Sequence, residues 1–268
     1  MASRVITALV GGSLVVSLVV LGGPAFSFLL LVISTAVFLE FAAMYERRFL
    51  TPLNVLGVLF TWGLVFGYAF STKFSLHTPE FKDFLWVAAF LLLFFYVLYR
   101  EEVSLQKLAY VFLGAVYIGL GFHYFYLLRV LPDTAAYALF VAFVVWATDI
   151  GAFLAGRLFG RHKLLPNVSP KKTWEGSLGG FVLGVLVALL AAGGFRLPLS
   201  LGQAFLLGGL LSFAGQIGDL IESAIKRAFQ VKDSGHLLPG HGGFFDRFDS
   251  MIVAYPIAYF FFRFLGLL

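Results

Sequence analysis

Asp219, Glu222, Asp233, Asp246 and Asp249 are five of only fourteen acids in this chain, and they share the stretch 219–249 with Lys226, Arg227, Lys232 and Arg247. Among them runs His241-Gly242-Gly243. Carboxylate oxygens are hard ligands suited to Mg²⁺, and fixed cations suit phosphates. A glycine turn can fold its backbone N–H groups around an anion. Acids, bases and glycines interleaved at this density point to a place where metal ions and phosphates meet. Asp219, then Glu222 or Ser223, then Lys226 fall on one helical face, and Asp246 and Asp249, three apart, share another.

A second constellation lies upstream. Asp149 sits within an apolar run, where a charge is expensive and usually functional. Beyond it, Arg161-His162-Lys163, Pro166, and Ser169-Pro170-Lys171-Lys172-Thr173-Trp174-Glu175-Gly176 form a basic, proline-broken loop that ends in a helix start. Thr173 could cap that helix, or Lys171 and Lys172 could hold phosphates near its positive end. Gly151, Gly156 and Gly160 include a small-xxx-small spacing that lets helices approach closely, and Gly215 and Gly218 beside Asp219 could do the same.

The elements that must position these residues are membrane helices. Apolar residues make up 60% of the 268 and charged residues 12%. Mean hydropathy is +0.95. Apolar runs long enough to cross a bilayer recur throughout, so the expected fold is an all-α, polytopic integral membrane protein with about nine transmembrane helices. The expected spans are 5–21, 25–45, 54–70, 83–99, 108–128, 134–159, 177–195, 201–226 and 251–268. Residues 1–133 read as an N-terminal set of about five spans, and 134–268 as a catalytic region of about four with two polar loops. The run 5–21 reads as a retained first helix rather than a signal peptide. With no cysteine, disulfides, thiolate metal sites and cysteine nucleophiles are excluded.

Sorting the Lys and Arg residues by side of those spans gives 14 on the side of the N-terminus and both polar loops, and 5 on the other. That bias puts the N-terminus and the loops in the cytoplasm and the C-terminus outside the inner (plasma) membrane. Topology thus accounts for the net charge of +5 without a nucleic-acid partner. Counted from the outer ends of their spans, Asp149 lies roughly 22 Å deep and Asp219 roughly 27 Å at helical rise. Both fall toward the cytoplasmic edge of the hydrocarbon core, in one layer with Asp246 and Asp249.

Plainer readings stand beside these. Lys171, Lys172, Arg157 and Arg161 also fit positive-inside anchors. Asp149 also fits a structural partner of Arg157 or of a lysine, and Glu222 a simple i, i+4 pair with Lys226. Asp249 also fits a helix N-terminal charge. His241 also fits a turn residue. Glu40 and His123 have no partner in the sequence pattern and read as interfacial or structural.

The run Ser223-x-Ile225-Lys226-Arg227, Lys232-Asp233-x-Gly235, Leu238-Pro239-x-His241-Gly242-Gly243-Phe244-x-Asp246-Arg247-Phe248-Asp249 resembles the signature of the phosphatidate cytidylyltransferases (CDP-diacylglycerol synthases) of bacterial type. Thr148-Asp149-x-Gly151-Ala152, Gly156-Arg157 and the 169–176 segment resemble it too. The resemblance covers about the C-terminal half in motif and the whole chain in length and hydropathy; residues 1–130 carry no usable motif. It implies a homodimeric enzyme that joins CTP and phosphatidic acid into CDP-diacylglycerol and pyrophosphate in phospholipid biosynthesis. It also implies Mg²⁺ dependence with two metal positions, Asp219 and Asp246 being the best ligand candidates and Asp249 a further one. Asp149, Asp219, Lys226, Arg227 and Asp246 then stand as catalytic candidates. Lys171, Lys172, Ser223, Lys232, Asp233, His241, Gly242, Gly243 and Arg247 stand as substrate-binding candidates. A CTP-dependent polyprenol or phytol kinase would share the metal and nucleotide logic but not the complete signature. A transporter would put its acids at midplane, usually with an internal repeat, and none is visible here.

Overall fold

The computed structural model describes residues 2–73, 81–131, 134–235 and 242–268. Among these residues it contains nine α-helices: α1 (Ala2–Leu21), α2 (Gly23–Glu46), α3 (Pro52–Lys73), α4 (Phe81–Leu98), α5 (Leu105–Val130), α6 (Ala135–Phe159), α7 (Trp174–Gly194), α8 (Leu201–Ala228) and α9 (Phe245–Phe264). Each corresponds to an expected span. The largest difference is α9, which begins at Phe245 rather than 251 and so carries Asp246 and Asp249 on the helix itself. Five helices (α2, α5, α6, α7 and α8) are long and apolar enough to cross a membrane. The apolar stretches Val10–Leu21, Pro52–Gly67 and Leu85–Leu98 are shorter.

Local chemistry sets the helix starts. Pro24 stands in the first turn of α2, just after the positive-φ Gly22, where a missing N–H is harmless. Ser104 accepts from Lys107 N at the start of α5. Ser200 and Gln203 form a reciprocal capping box on α8. Thr173 Oγ1 accepts from Gly176 N at 3.1 Å, so the expected cap on α7 is present.

The loop between α6 and α7 is more ordered than its composition suggests. It folds into an antiparallel hairpin, β1 (Lys163–Leu165) and β2 (Ser169–Thr173), with Lys163 opposite Thr173 and Leu165 opposite Ser169. Glu175 fastens its base, accepting from Arg161 N at 3.1 Å and from His162 Nδ1 at 2.6 Å.

α6 and α7 form the closest helix pair. A methyl group on Gly151 would lie 2.7 Å from Gly179 O, and one on Gly180 2.8 Å from Thr148 O. The two backbones touch only because these positions lack a Cβ. The same device works between α8 and α9, where a methyl on Gly218 would meet Asp249 O at 2.5 Å. In the N-terminal half, α2 lies against α3, α5 and α9. Lys107 Nζ and Glu46 Oε1, 2.5 Å apart, tie the start of α5 to the end of α2. At the opposite end, Arg129 donates to the Val19 and Val20 carbonyls that close α1. Helix ends therefore alternate, and the hairpin, the end of α8 and the start of α9 share one end of the bundle.

Candidate active site

That end contains a cavity of about 1040 Å³. α6 contributes Asp149, Phe153 and Arg157; the hairpin contributes Leu164, Lys171 and Lys172; α7 contributes Ser177. α8 adds Gln216, Asp219, Glu222 and Lys226, the following loop Lys232, Asp233 and Gly242, and α9 Asp246, Arg247 and Asp249. Two constellations far apart in sequence thus face one space.

At the centre lie Asp219, Glu222 and Asp249, with carboxylate oxygens all within 4.8 Å of one another. Asp219 and Glu222 share a face of α8, and the glycine-mediated crossing at Gly218 brings Asp249 alongside. Glu222 is only 1% exposed, and its Oε1 is a buried oxygen with no hydrogen-bond partner among the described residues. Three converging carboxylates, one with an orphaned oxygen, are a donor set that fits a hard divalent cation. Asp149 opens onto the same cavity and lies within electrostatic range of Asp219.

Lysines balance these acids. Lys172 Nζ lies 2.6 Å from Asp219 Oδ2. Lys226 Nζ bridges Glu222 Oε2 at 2.6 Å and Asp246 Oδ1 at 2.7 Å. The i, i+4 pairing of Glu222 is therefore real, and the same residue also joins the carboxylate cluster. Among the described residues no ion pair joins Asp149 to Arg157, although both line the cavity.

Asp246, also expected as a ligand, lines the same cavity and is held by donors of its own. One oxygen is held by Lys226, and the other accepts from Gly243 N at 2.8 Å and Ser234 N at 3.2 Å. Its carboxylate thereby braces the loop between α8 and α9, while an oxygen of Asp249 lies within 4.8 Å of Asp219 and Glu222. Arg227, expected to act in catalysis, is not among the residues that line the cavity. Its Nε donates to Val168 O at 3.3 Å and its Nη1 to Val231 O at 3.1 Å, tying the hairpin turn to the loop after α8. Ser223 is buried and reaches Asp219 Oδ1 at 3.4 Å, and Gly243 acts through its amide on Asp246. His241 lies outside the described residues.

Two features escaped the sequence reading. Ser177 and Gln216 form a polar pair across α7 and α8 in the cavity wall, with Ser177 Oγ 2.5 Å from Gln216 Oε1. Both residue types are unremarkable in a helix, so no signal marked them. Glu40 was visible as an acid in an apolar helix, but its partners lie some two hundred residues away along the chain: Ser234 and Phe245.

Comparison with known proteins adds an independent finding. A model of the "Cytidylyltransferase family" matches residues 2–265. The chain is 34% identical over 263 residues to the phosphatidate cytidylyltransferase of Bacillus subtilis, covering 97% of each protein. It is 43% identical over 169 residues to the Staphylococcus haemolyticus protein of the same name, covering 63% of this chain and 64% of that protein. A Staphylococcus aureus relative, also called phosphatidate cytidylyltransferase, is 41% identical over 171 residues.

Proposed function

Because the chain belongs to the cytidylyltransferase family and is a multi-pass membrane enzyme that makes CDP-diacylglycerol from CTP and phosphatidate, we propose that both substrates meet in the cavity around Asp219, Glu222 and Asp249. The observation that carries this reading is the convergence of those carboxylates with Lys171, Lys172, Lys232 and Arg247 in one cavity at one end of the bundle.

A phosphate oxygen of phosphatidate attacks the α-phosphorus of CTP. A new P–O bond forms, the bond from the α-phosphorus to the bridging oxygen breaks, and pyrophosphate leaves with that electron pair. A phosphate monoester is already anionic near neutral pH, so no side chain need remove a proton. The difficulty is bringing two polyanions together. Lys171, Lys172, Lys232 and Arg247 lower that repulsion and hold the phosphates in line. Phe153 and Leu164 supply an apolar wall beside the charged floor, suited to a lipid nucleophile. We assign Mg²⁺ to Asp219, Glu222 and Asp249. When bound, it supplies charge neutralisation and orientation of phosphate oxygens. Asp149, within range of Asp219, positions that cluster, and Lys226 holds Glu222 and Asp246 in register.

The proposal includes a homodimer, supported by the family resemblance, and cross-linking in detergent checks it. The site assignment is tested with the purified protein, radiolabelled CTP and a panel of phosphatidate, polyprenol and phytol across a Mg²⁺ titration. A CMP-bearing lipid from phosphatidate alone is expected, lost when the cavity carboxylates are neutralised. A monophosphorylated alcohol in its place would sink the assignment.

A further inference from the structure

Glu40 lies in α2, in the half of the chain that carries no catalytic motif, yet it is 0% exposed and points into the base of the cavity loop. Its Oε2 accepts from Ser234 Oγ and from Phe245 N, both at 3.0 Å. Those donors lie on the loop that follows α8 and on the first residue of α9. Gly235 in that loop and Gly243 just before α9 press on the same carboxylate: a methyl on Gly235 would lie 2.5 Å from Glu40 Oε1, and one on Gly243 would run into the carboxylate as well. Next to Glu40, Phe41 meets the ring of Phe245 edge-on at 5.9 Å.

We propose that Glu40 is a positioning residue for nucleotidyl transfer, a clamp from the N-terminal half that ties the loop carrying Lys232 and Asp233 to the start of α9, which carries Asp246 and Arg247. The inference rests on the reading of the cavity as the active site. A carboxylate buried in an apolar helix is expensive; an apolar residue would fill the space at less cost. What the acid supplies is an acceptor for two hydrogen bonds that join Ser234 to the start of α9. Asp246 Oδ2 accepts from Ser234 N and Gly243 N on the inner side, while Glu40 accepts from Ser234 Oγ and Phe245 N on the outer side. Two carboxylates, one from each half of the protein, thus close the same loop. Glycine at 235 and 243 is what lets the outer carboxylate reach it.

A merely structural acid and a positioning acid differ in what their loss moves. Glu46, further along α2, serves as the structural control because its carboxylate pairs with Lys107 on α5. Glu40→Ala is expected to lower kcat/KM for CTP by about tenfold or more, the scale of losing hydrogen bonds to a charged acceptor, while its thermal midpoint falls no further than that of Glu46→Gln. Glu46→Gln should keep wild-type kinetics below its midpoint. Glu40→Gln keeps an oxygen able to accept from both Ser234 and Phe245, and is expected to restore kcat/KM to within about threefold of wild type. Wild-type kinetics in Glu40→Ala, no rescue by Gln, or an equal loss in Glu46→Gln would each overturn the inference. If Glu40→Ala fails to accumulate, Ser234→Ala reads the contact from the loop side, and unchanged kinetics there would overturn it. Asp249→Asn separates the two levels: its full activity would sink the cavity assignment and the clamp with it, whereas its inactivity beside a fully active Glu40→Ala sinks the clamp alone.

Discussion

Asp246 and Asp249 are three residues apart on α9, yet their carboxylates meet different partners. Asp249 faces Asp219 and Glu222, while Asp246 is occupied by Lys226 and two loop amides. Neutralising each should therefore fail differently. Asp219→Asn and Asp249→Asn are expected to lose activity by about a hundredfold or more, beyond what outer-shell changes at metal sites give, and to recover partly at high Mg²⁺. Asp246→Asn should also lose activity, but with an unshifted Mg²⁺ requirement; a shift matching that of Asp219→Asn would return Asp246 to the ligand set. Lys226 gives a stability prediction. Lys226→Met leaves Glu222 and Asp246 buried without their shared cation, which should destabilise the fold by about 3–5 kcal/mol, read as a fall in thermal midpoint. At this scale the sequence named every charged residue that lines the cavity, because charges in an apolar chain are conspicuous. What spacing could not reveal was the direction of each carboxylate, which depends on the α8–α9 crossing at Gly218. The partners of Glu40 stayed hidden for the same reason.

At the scale of elements, the hairpin between α6 and α7 delivers Lys171 and Lys172 to the cavity. The nine helices were legible as apolar runs with proline and glycine breaks. The hairpin was not, because Ser169-Pro170-Lys171-Lys172-Thr173 has no apolar alternation to mark a strand. Its order comes instead from tertiary ties: Glu175 at its base and Arg227 at its turn. Two substitutions separate contact from support. Lys172→Ala removes a cation from the cavity and should weaken CTP use by about 1.5–3 kcal/mol, the range for hydrogen bonds to charged groups. Arg227→Ala removes only the tie to Val168 and Val231, so it should raise KM for CTP by a smaller factor and leave kcat near wild type. Steady-state kinetics at varied CTP checks both. A collapse of kcat in Arg227→Ala would instead put that guanidinium on the reacting phosphates.

At the scale of the whole molecule, the cavity, the hairpin and the start of α9 share one end of the bundle, and the sequence assigns that end the larger share of Lys and Arg, 14 against 5. Positive residues are generally retained on the cytoplasmic side of a membrane, the side on which CTP is made available. We propose on that ground that this end faces the cytoplasm and that nine crossings put the C-terminus outside. The chain has no native cysteine, so single cysteines report without background. Asn167 at the hairpin turn and Gln230 after α8 are both exposed. An impermeant thiol reagent applied to intact cells is expected to miss cysteines at these two positions and to label one appended after Leu268; all three should react after lysis. Labelling at 167 and 230 but not at the terminus would reverse the orientation and remove the cavity from cytoplasmic CTP. Protection at all three would mean an even number of crossings. The helices to re-examine would then be α1, α3 and α4, whose apolar stretches Val10–Leu21, Pro52–Gly67 and Leu85–Leu98 are the shorter ones. α9 is pinned at its cavity end by Asp246, which Lys226 and two loop amides hold, and must leave that end whatever the count.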